Sequence, residues 1–170
     1  QFEEIHGPEK MEEINKIKQE SLLTVIRYFI YRRDYGSAEK LIVHVSDDSY
    51  KRYFNAMVLI GKKDYLKSLK LFEDLYQSID KVKRNEQDQS FFELLALHIA
   101  RLYFQQKDYI HAMNYYSKIP GDSDRFYDAL YEVGLVMIKE KNYEDAKNIF
   151  SLIKMHHDHR QVVNTDDLRS

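Results

Sequence analysis

One short pattern recurs four times along the chain and constrains its fold more than any other feature. In each copy an Asp or Asn is followed directly by Tyr and, three residues after the Tyr, by Ala or Ser. The copies begin at Asp34, Asp64, Asp108 and Asn142. Asp and Asn are favoured helix N-cap residues because their side-chain oxygens accept backbone N–H groups of the first turn. Each copy therefore predicts the start of a helix, and the recurrence predicts repeated helical units.

Small residues mark the places where two helices of each unit would cross. The Ala or Ser of every copy has a counterpart twelve residues upstream, and three of the four counterparts are small. These upstream positions are Ile26, Ala56, Ala100 and Gly134. Small residues at a crossing let two helix backbones approach closely, while bulky side chains one turn away fill the remaining space. The sequence thus predicts antiparallel helical hairpins.

The pattern resembles the tetratricopeptide repeat (TPR), a helix–turn–helix unit of 34 residues. Gly134 and Ala146 match the small positions of that repeat and Phe150 matches its large aromatic position. The resemblance, closest to bacterial TPR-domain proteins, implies an all-α fold. It further implies a right-handed superhelical stack of four antiparallel hairpins, a TPR-like solenoid, with an N-terminal capping helix. The motifs of this family specify a fold well and a function poorly.

The spacing between copies is uneven. From Asp34 to Asp64 is 30 residues, from Asp64 to Asp108 is 44, and from Asp108 to the last copy is 34. The expansion falls near residues 79–90, whose polar and helix-favouring sequence predicts longer helices with a loop near Asn85 to Gln89. Ser90 and Glu93 have the spacing of a capping box that would open the next helix. The expansion is either an ordinary long connection or a second contact surface.

Three segments follow from these observations. Residues 1–18 form an N-terminal segment and the start of a capping helix, residues 19–160 form the repeat domain, and residues 161–170 form a tail or a truncated helix. Gly7-Pro8 predicts a helix start, because Pro suits the first helical turn. The following residues form either one long helix to Arg33 or an extra capping helix before the first hairpin.

Several classes of protein are disfavoured by composition. The net charge of −2 argues against a nucleic-acid-binding protein. Because the chain has no cysteine, disulfides, iron–sulfur clusters and thiol catalysis are excluded. No apolar run reaches the ~18 residues that a membrane-spanning helix needs. No phosphate-binding loop, dinucleotide-binding glycine motif or metalloprotease helix is present, so we expect neither an enzyme nor a cofactor.

A histidine cluster near the C-terminus is the one feature of the sequence that resembles a metal-binding site. It consists of His156, His157 and His159, of which the first and last would share a helix face. Histidines also favour helix C-termini through the helix dipole, and this explanation is preferred. We therefore expect the last helix to end near His156 to Arg160 and expect no metal site.

The TPR resemblance implies a concave groove lined by the first helix of each hairpin. The residues assigned to partner binding there are Arg27, Tyr31, Tyr50, Tyr53, Met57, His98, Arg101, Phe104 and Tyr131. Tyr and Arg are enriched at binding hot spots, and Met supplies an adaptable apolar contact. The alternative is that many of these side chains pack against neighbouring helices. The Lys and Asn arrangement by which some relatives clamp a C-terminal carboxylate is missing.

These features predict a non-catalytic module that binds another protein, as a helix or extended segment in the groove, and stabilises or scaffolds it. The alternative is a self-associating structural subunit of a larger assembly, such as flagellar or outer-membrane assembly machinery. A chain that starts at Gln1 indicates a fragment or a mature domain. Together with a Lys-, Ile-, Asn- and Tyr-rich composition, this favours the bacterial cell envelope or periplasm over the cytoplasm.

Overall fold

The computed structural model describes the backbone of residues 2–80 and 86–166 and the side chains of residues 9–79 and 88–156. Over these residues the chain forms eight α-helices and no strand, which confirms the all-α prediction. The chain divides into two compact units, Gln1–Ser78 and Ile79–Ser170. The division falls at the edge of the segment where the sequence spacing expands.

The first unit contains four helices. They are α1 (Phe2–Tyr31), α2 (Tyr35–Ile42), α3 (Asp48–Gly61) and α4 (Tyr65–Asp80). Helix α1 packs against α2 and α3, and α2 also packs against α3. Helices α3 and α4 are joined at their crossing by a hydrogen bond in which Ser68 Oγ donates to the Ala56 carbonyl at 2.9 Å. This hydrogen bond explains why the second copy of the pattern has Ser at the position where the other three copies have Ala.

The second unit also contains four helices. They are α5 (Glu86–Gln105), α6 (Tyr109–Tyr116), α7 (Phe126–Lys139) and α8 (Tyr143–Asp166). Helix α5 packs against α6, α7 packs against α8, and α6 and α7 are also in contact. Ala100 and Ala112 are both fully buried, as their small size at the α5–α6 crossing predicts.

The four turns between paired helices share one backbone geometry. Each has a basic residue with positive φ: 60° at Arg33, 64° at Lys63, 64° at Lys107 and 62° at Lys141. In each turn the N–H of the next residue donates to the carbonyl five residues upstream, at 2.9, 2.9, 3.0 and 2.8 Å. This is the Schellman arrangement, which satisfies carbonyls at the end of a helix. A left-handed conformation is costly for a residue with a Cβ, so these turns carry strain.

The residue after each strained position starts the next helix. Side chains of Asp34, Asp64, Asp108 and Asn142 accept the N–H three residues on, at 3.1, 3.4, 3.2 and 3.4 Å. The pKa of Asp34 is lowered by the hydrogen bonds from Ser37, as expected when bonds favour the charged form. All four N-cap predictions are confirmed. One residue therefore helps to end one helix through its backbone N–H and begins the next through its side chain.

A close approach of helices requires glycine at the α7–α8 crossing. A Cβ built on Gly134 would stand 2.6 Å from Phe150 Cζ and 3.3 Å from Ile149 Cγ2. Ala146, the small partner on α8, is 3% exposed. At the α1–α2 crossing the larger Ile26 takes this place and is fully buried against α2. The helix pairs thus cross at equivalent positions of the pattern, but the side chains at these positions differ in volume.

Three sequence-based boundaries are wrong. Helix α1 begins at Phe2, includes Pro8 and continues to Tyr31, so the single long helix is the correct alternative. Helix α8 does not end at His156 to Arg160 but continues to Asp166, because no Gly or Pro interrupts this segment.

The predicted loop over Asn85 to Gln89 is the third error, since α5 already begins at Glu86. Ser90 therefore lies inside the helix and does not cap it. Its Oγ accepts a hydrogen bond from Arg125 Nη1 at 3.0 Å. The Glu93 carboxylate accepts bonds from Gln89 Nε2 at 2.8 Å and Ser123 Oγ at 2.6 Å. The expected capping box is thus replaced by bonds to the α6–α7 connection.

Candidate functional site

The second unit carries a surface cleft formed by α5, α6 and α7. Its volume is about 280 Å³, and it is lined by Arg101, Phe104, Tyr116, Tyr131, Glu132 and Leu135. Residues three or four apart share a helix face, so Arg101 and Phe104 project from one side of α5 and Tyr131 and Leu135 from one side of α7. Aromatic and aliphatic side chains thus form most of the cleft wall, with one polar cluster among them.

The polar cluster joins all three helices through the Glu132 carboxylate. Arg101 donates to Glu132 Oε1 from Nε at 2.7 Å and from Nη2 at 2.5 Å. Tyr116 OH donates to Glu132 Oε2 at 2.8 Å. Both carboxylate oxygens therefore have a donor, and the charges of Arg101 and Glu132 compensate each other. The cluster fixes the shape of this part of the cleft.

Tyr116 and Arg101, the two donors to Glu132, both keep their protons near neutral pH. Burial raises the pKa of Tyr116, and its hydrogen bond to Glu132 raises it further. Burial alone would lower the pKa of Arg101, but the hydrogen bonds and charge of Glu132 outweigh this effect and raise it. Neither side chain could act as a general base near neutral pH, since such a group must lose its proton there. The cluster holds the three helices together.

His98 lies one helical turn before Arg101 on α5. Burial lowers the pKa of His98 to about 4, and the positive charges of Arg101 and Arg125 add to the effect. The ring is therefore neutral at pH 7. His98 does not line the cleft.

Three of the nine residues predicted to bind a partner meet in this cleft. They are Arg101, Phe104 and Tyr131. Tyr131 is 51% exposed, and its ring also lies 5.6 Å from the Phe150 ring. The remaining second-unit prediction, His98, is half-buried beside the cleft.

The other five predicted residues belong to the first unit. Tyr53 is only 8% exposed, and its ring lies 5.2 Å from the Phe54 ring and 5.9 Å from the Phe72 ring. It contributes mainly to the core and offers a partner little surface. The Arg27 guanidinium lies 5.7 Å from the centre of the Phe54 ring. Tyr31 is 85% exposed, whereas Tyr50 and Met57 on α3 are half-buried.

Two residues of the polar cluster did not stand out in the sequence as ligand-binding residues. They are Tyr116 and Glu132, which none of the sequence patterns marks as a binding residue. Their importance comes from the shared Glu132 carboxylate, which accepts hydrogen bonds from Tyr116 OH and from Arg101, 31 residues away in the chain. An Arg on the inner face of a predicted hairpin is a signal that a carboxylate should face it. That signal gives the type of partner but not its position.

No group of three His, Asp or Glu side chains within residues 9–79 and 88–156 is placed to hold a metal ion. His156 stacks on Tyr127, with ring centres 4.0 Å apart. The other two members of the predicted cluster, His157 and His159, lie outside the described side chains. No helix in the described part of the chain is both long and apolar enough to cross a membrane.

Comparisons with protein-family models, with curated proteins and with solved structures found no match to this chain.

Proposed function

We propose that this protein is a non-catalytic protein–protein interaction module of the TPR type, with its hairpins stacked as a solenoid. Its cleft on α5, α6 and α7 holds a segment of a partner protein and so stabilises or scaffolds that partner. The observation that carries this proposal is an apolar cleft next to a fixed, charge-compensated polar cluster. The four shared turns support the repeat assignment.

The size of the cleft favours a side chain over a small-molecule ligand. Its volume of about 280 Å³ lies just below the range of about 300–1,000 Å³ that is usual for small-molecule sites. A cleft of this size suits one or two large side chains from a partner helix or extended strip. Hot spots at protein interfaces are commonly such pockets, each filled by an anchor residue of the partner.

The chemistry of the cleft favours an apolar or aromatic anchor. Phe104, Tyr131 and Leu135 supply apolar contact area, and the half-exposed Tyr131 can still bond water or a partner through its hydroxyl. Arg101 and Glu132 already satisfy each other, so an apolar anchor would leave neither charge without a partner. A cleft fixed in this way loses little entropy on binding.

Peptide selection followed by calorimetry tests the proposal. A phage library of helical and extended peptides is selected on the intact chain, and the best peptide is measured against Tyr131→Ala. Tyr143→Ala is the matched control, because Tyr143 is 64% exposed and does not line the cleft. We expect Tyr131→Ala to weaken binding about 30-fold, or about 2 kcal/mol, as for a typical hot-spot residue. Equal affinities of the two variants would count against the cleft.

The biological setting we propose is a complex of the bacterial cell envelope. Its support is compositional: Lys, Ile and Tyr are plentiful in this chain. Fractionation of cells that express the tagged natural protein would test the setting. Recovery with envelope or periplasmic fractions is expected, and recovery only with the cytoplasm would contradict it.

A further inference from the structure

Helix α1 carries a continuous stripe of uncharged side chains. Its members follow one another at alternating intervals of three and four residues. This spacing keeps them on one face of the helix, as in helices that form coiled coils. They are Ile14, Ile17, Ser21, Thr24, Tyr28 and Tyr31. At 1.5 Å per residue the stripe is about 26 Å long. We call it the α1 stripe.

The α1 stripe, apart from the half-buried Ile14 at its N-terminal end, lies on the side of the helix away from the core of the first unit. Ile26 is fully buried and stands nine residues after Ile17, which at 100° per residue places it half a turn away. Gln19, on the core side, accepts a hydrogen bond from the Ser46 N–H at 3.0 Å. Ile17, Tyr28 and the terminal Tyr31 are by contrast 55%, 57% and 85% exposed. Helix α1 therefore has one face in the core and a second uncharged face towards solvent.

The polar members of the stripe are suited to burial. Thr24 Oγ1 donates a hydrogen bond to the Glu20 carbonyl at 3.0 Å, within its own helix. Its donor is therefore already satisfied, and burial would not leave it without a partner. Ser21 is small enough to allow two helices to approach closely at the middle of the stripe.

We propose that the α1 stripe pairs in antiparallel orientation with the α1 stripe of a second copy of this chain. The stripe is self-complementary about its centre, as a two-fold interface requires. In this arrangement Ile17 meets Tyr28 of the second copy and Ile14 meets its Tyr31. Ser21 meets Thr24 at the centre. Each large aromatic residue thus packs against an aliphatic one, and the small residues pack together.

The distribution of charge selects the second copy and the orientation. Residues 9–20 contain four Glu and three Lys, so their net charge is 3 − 4 = −1. Residues 21–33 contain Arg27, Arg32 and Arg33 and no acidic residue, so their net charge is +3. Antiparallel pairing places the half of net charge −1 of one helix beside the half of net charge +3 of the other, whereas parallel pairing places the arginines side by side. Antiparallel helix dipoles add to this preference.

The size of the contact sets the expected strength. One helix pair of this length lies at the small end of protein interfaces, below about 1,200 Å². We therefore expect a dimer that forms at micromolar concentrations and dissociates on dilution. This dimer does not depend on the cleft of the second unit, so either proposal can fail without the other.

Sedimentation equilibrium of the intact chain tests the pairing. A monomer–dimer equilibrium is expected, and Ile17→Glu should raise its dissociation constant at least tenfold. Ile110→Glu is the matched control, because Ile110 is 83% exposed on a helix of the other unit. Circular dichroism checks that both variants keep their helices. A monomeric natural chain at about 500 µM, far above the micromolar range expected for so small an interface, would overturn the proposal. An equal effect of both variants would overturn it too.

Cysteine cross-linking tests the orientation, because the chain contains no cysteine of its own. Ile17→Cys and Tyr28→Cys proteins are oxidised separately and as a mixture. Antiparallel pairing predicts that the mixed disulfide forms several-fold faster than either symmetric one, because a disulfide needs closely spaced Cα atoms. Faster formation of the symmetric Ile17→Cys disulfide would contradict antiparallel pairing.

Discussion

Replacement of Gly134 by Ala should destabilise the second unit, although Ala normally favours a helix. In an open helix the change stabilises by about 1 kcal/mol. Here the new Cβ would stand 2.6 Å from Phe150 Cζ and 2.7 Å from Phe150 Cε1. Overpacking of a core costs about 1–3 kcal/mol, so the two effects together predict a net loss of about 1 kcal/mol. Because the Phe150 ring contacts Tyr131, its displacement should also disturb the cleft.

A double-mutant cycle separates the two effects. In a Phe150→Ala background the clash with the ring is absent and only the 3.3 Å contact with Ile149 Cγ2 remains, so Gly134→Ala should stabilise by up to about 1 kcal/mol. The coupling between the positions is then about 2 kcal/mol. Gly36→Ala is the matched single control, because its nearest atom would be Asp34 Oδ1 at 3.9 Å, an ordinary contact. Gly36→Ala should therefore stabilise the protein.

Urea unfolding followed by circular dichroism gives the free energies for all these variants. The reasoning is refuted if Gly134→Ala stabilises the protein as much as Gly36→Ala does. It is equally refuted if the effect of Gly134→Ala is the same with and without the Phe150 ring.

Three further predictions concern the turns, the polar cluster and pH. Lys107→Gly should raise the free energy of unfolding by about 0.5–1 kcal/mol in urea titrations, because glycine adopts the φ of 64° without strain; an unchanged value would argue against strain at this turn. Tyr116→Phe should lower that free energy by about 1 kcal/mol, because it removes the hydrogen bond to Glu132; a stabilised variant would contradict this. The pKa of His98 is lowered from 6.5 to about 4 in the folded protein. Because the unfolded chain then takes up a proton more readily than the folded one, the stabilising free energy is greatest above pH 6.5 and decreases as the pH falls to 4. This loss is about 3 kcal/mol at most, so in urea titrations at pH 7 and 4 the decrease should be smaller for His98→Gln than for the natural protein; equal decreases in the two proteins would contradict it.

The parts of the fold that follow from local signals could be predicted from the sequence. Asp108 begins a helix because its own side chain bonds the N–H three residues on, and no distant residue takes part. The crossing at Gly134 was also predicted, because small residues at fixed spacing report how closely two helices approach. Short-range geometry thus accounts for the paired helices.

The parts that depend on distant contacts could not be predicted in the same way. Ser90 looks like a helix cap in isolation, but its hydroxyl is bonded to Arg125, 35 residues away. The end of α8 was placed too early because the histidines indicated a terminus, whereas no residue there breaks a helix. The cleft could be predicted only in part, since Arg101 is recognisable in the sequence but its pairing with Glu132 exists only in the folded unit.

The most direct test of the proposed function is photo-cross-linking at a single site in the organism that makes this protein. A benzophenone amino acid is placed at position 131 in the cleft or, as the control, at exposed position 143 outside it. If the cleft holds a partner, illumination should give a discrete adduct at position 131 that is absent at 143 and is reduced by Phe104→Ala. Identical adducts at both positions, or no adduct at 131, would contradict the claim that this cleft binds another protein.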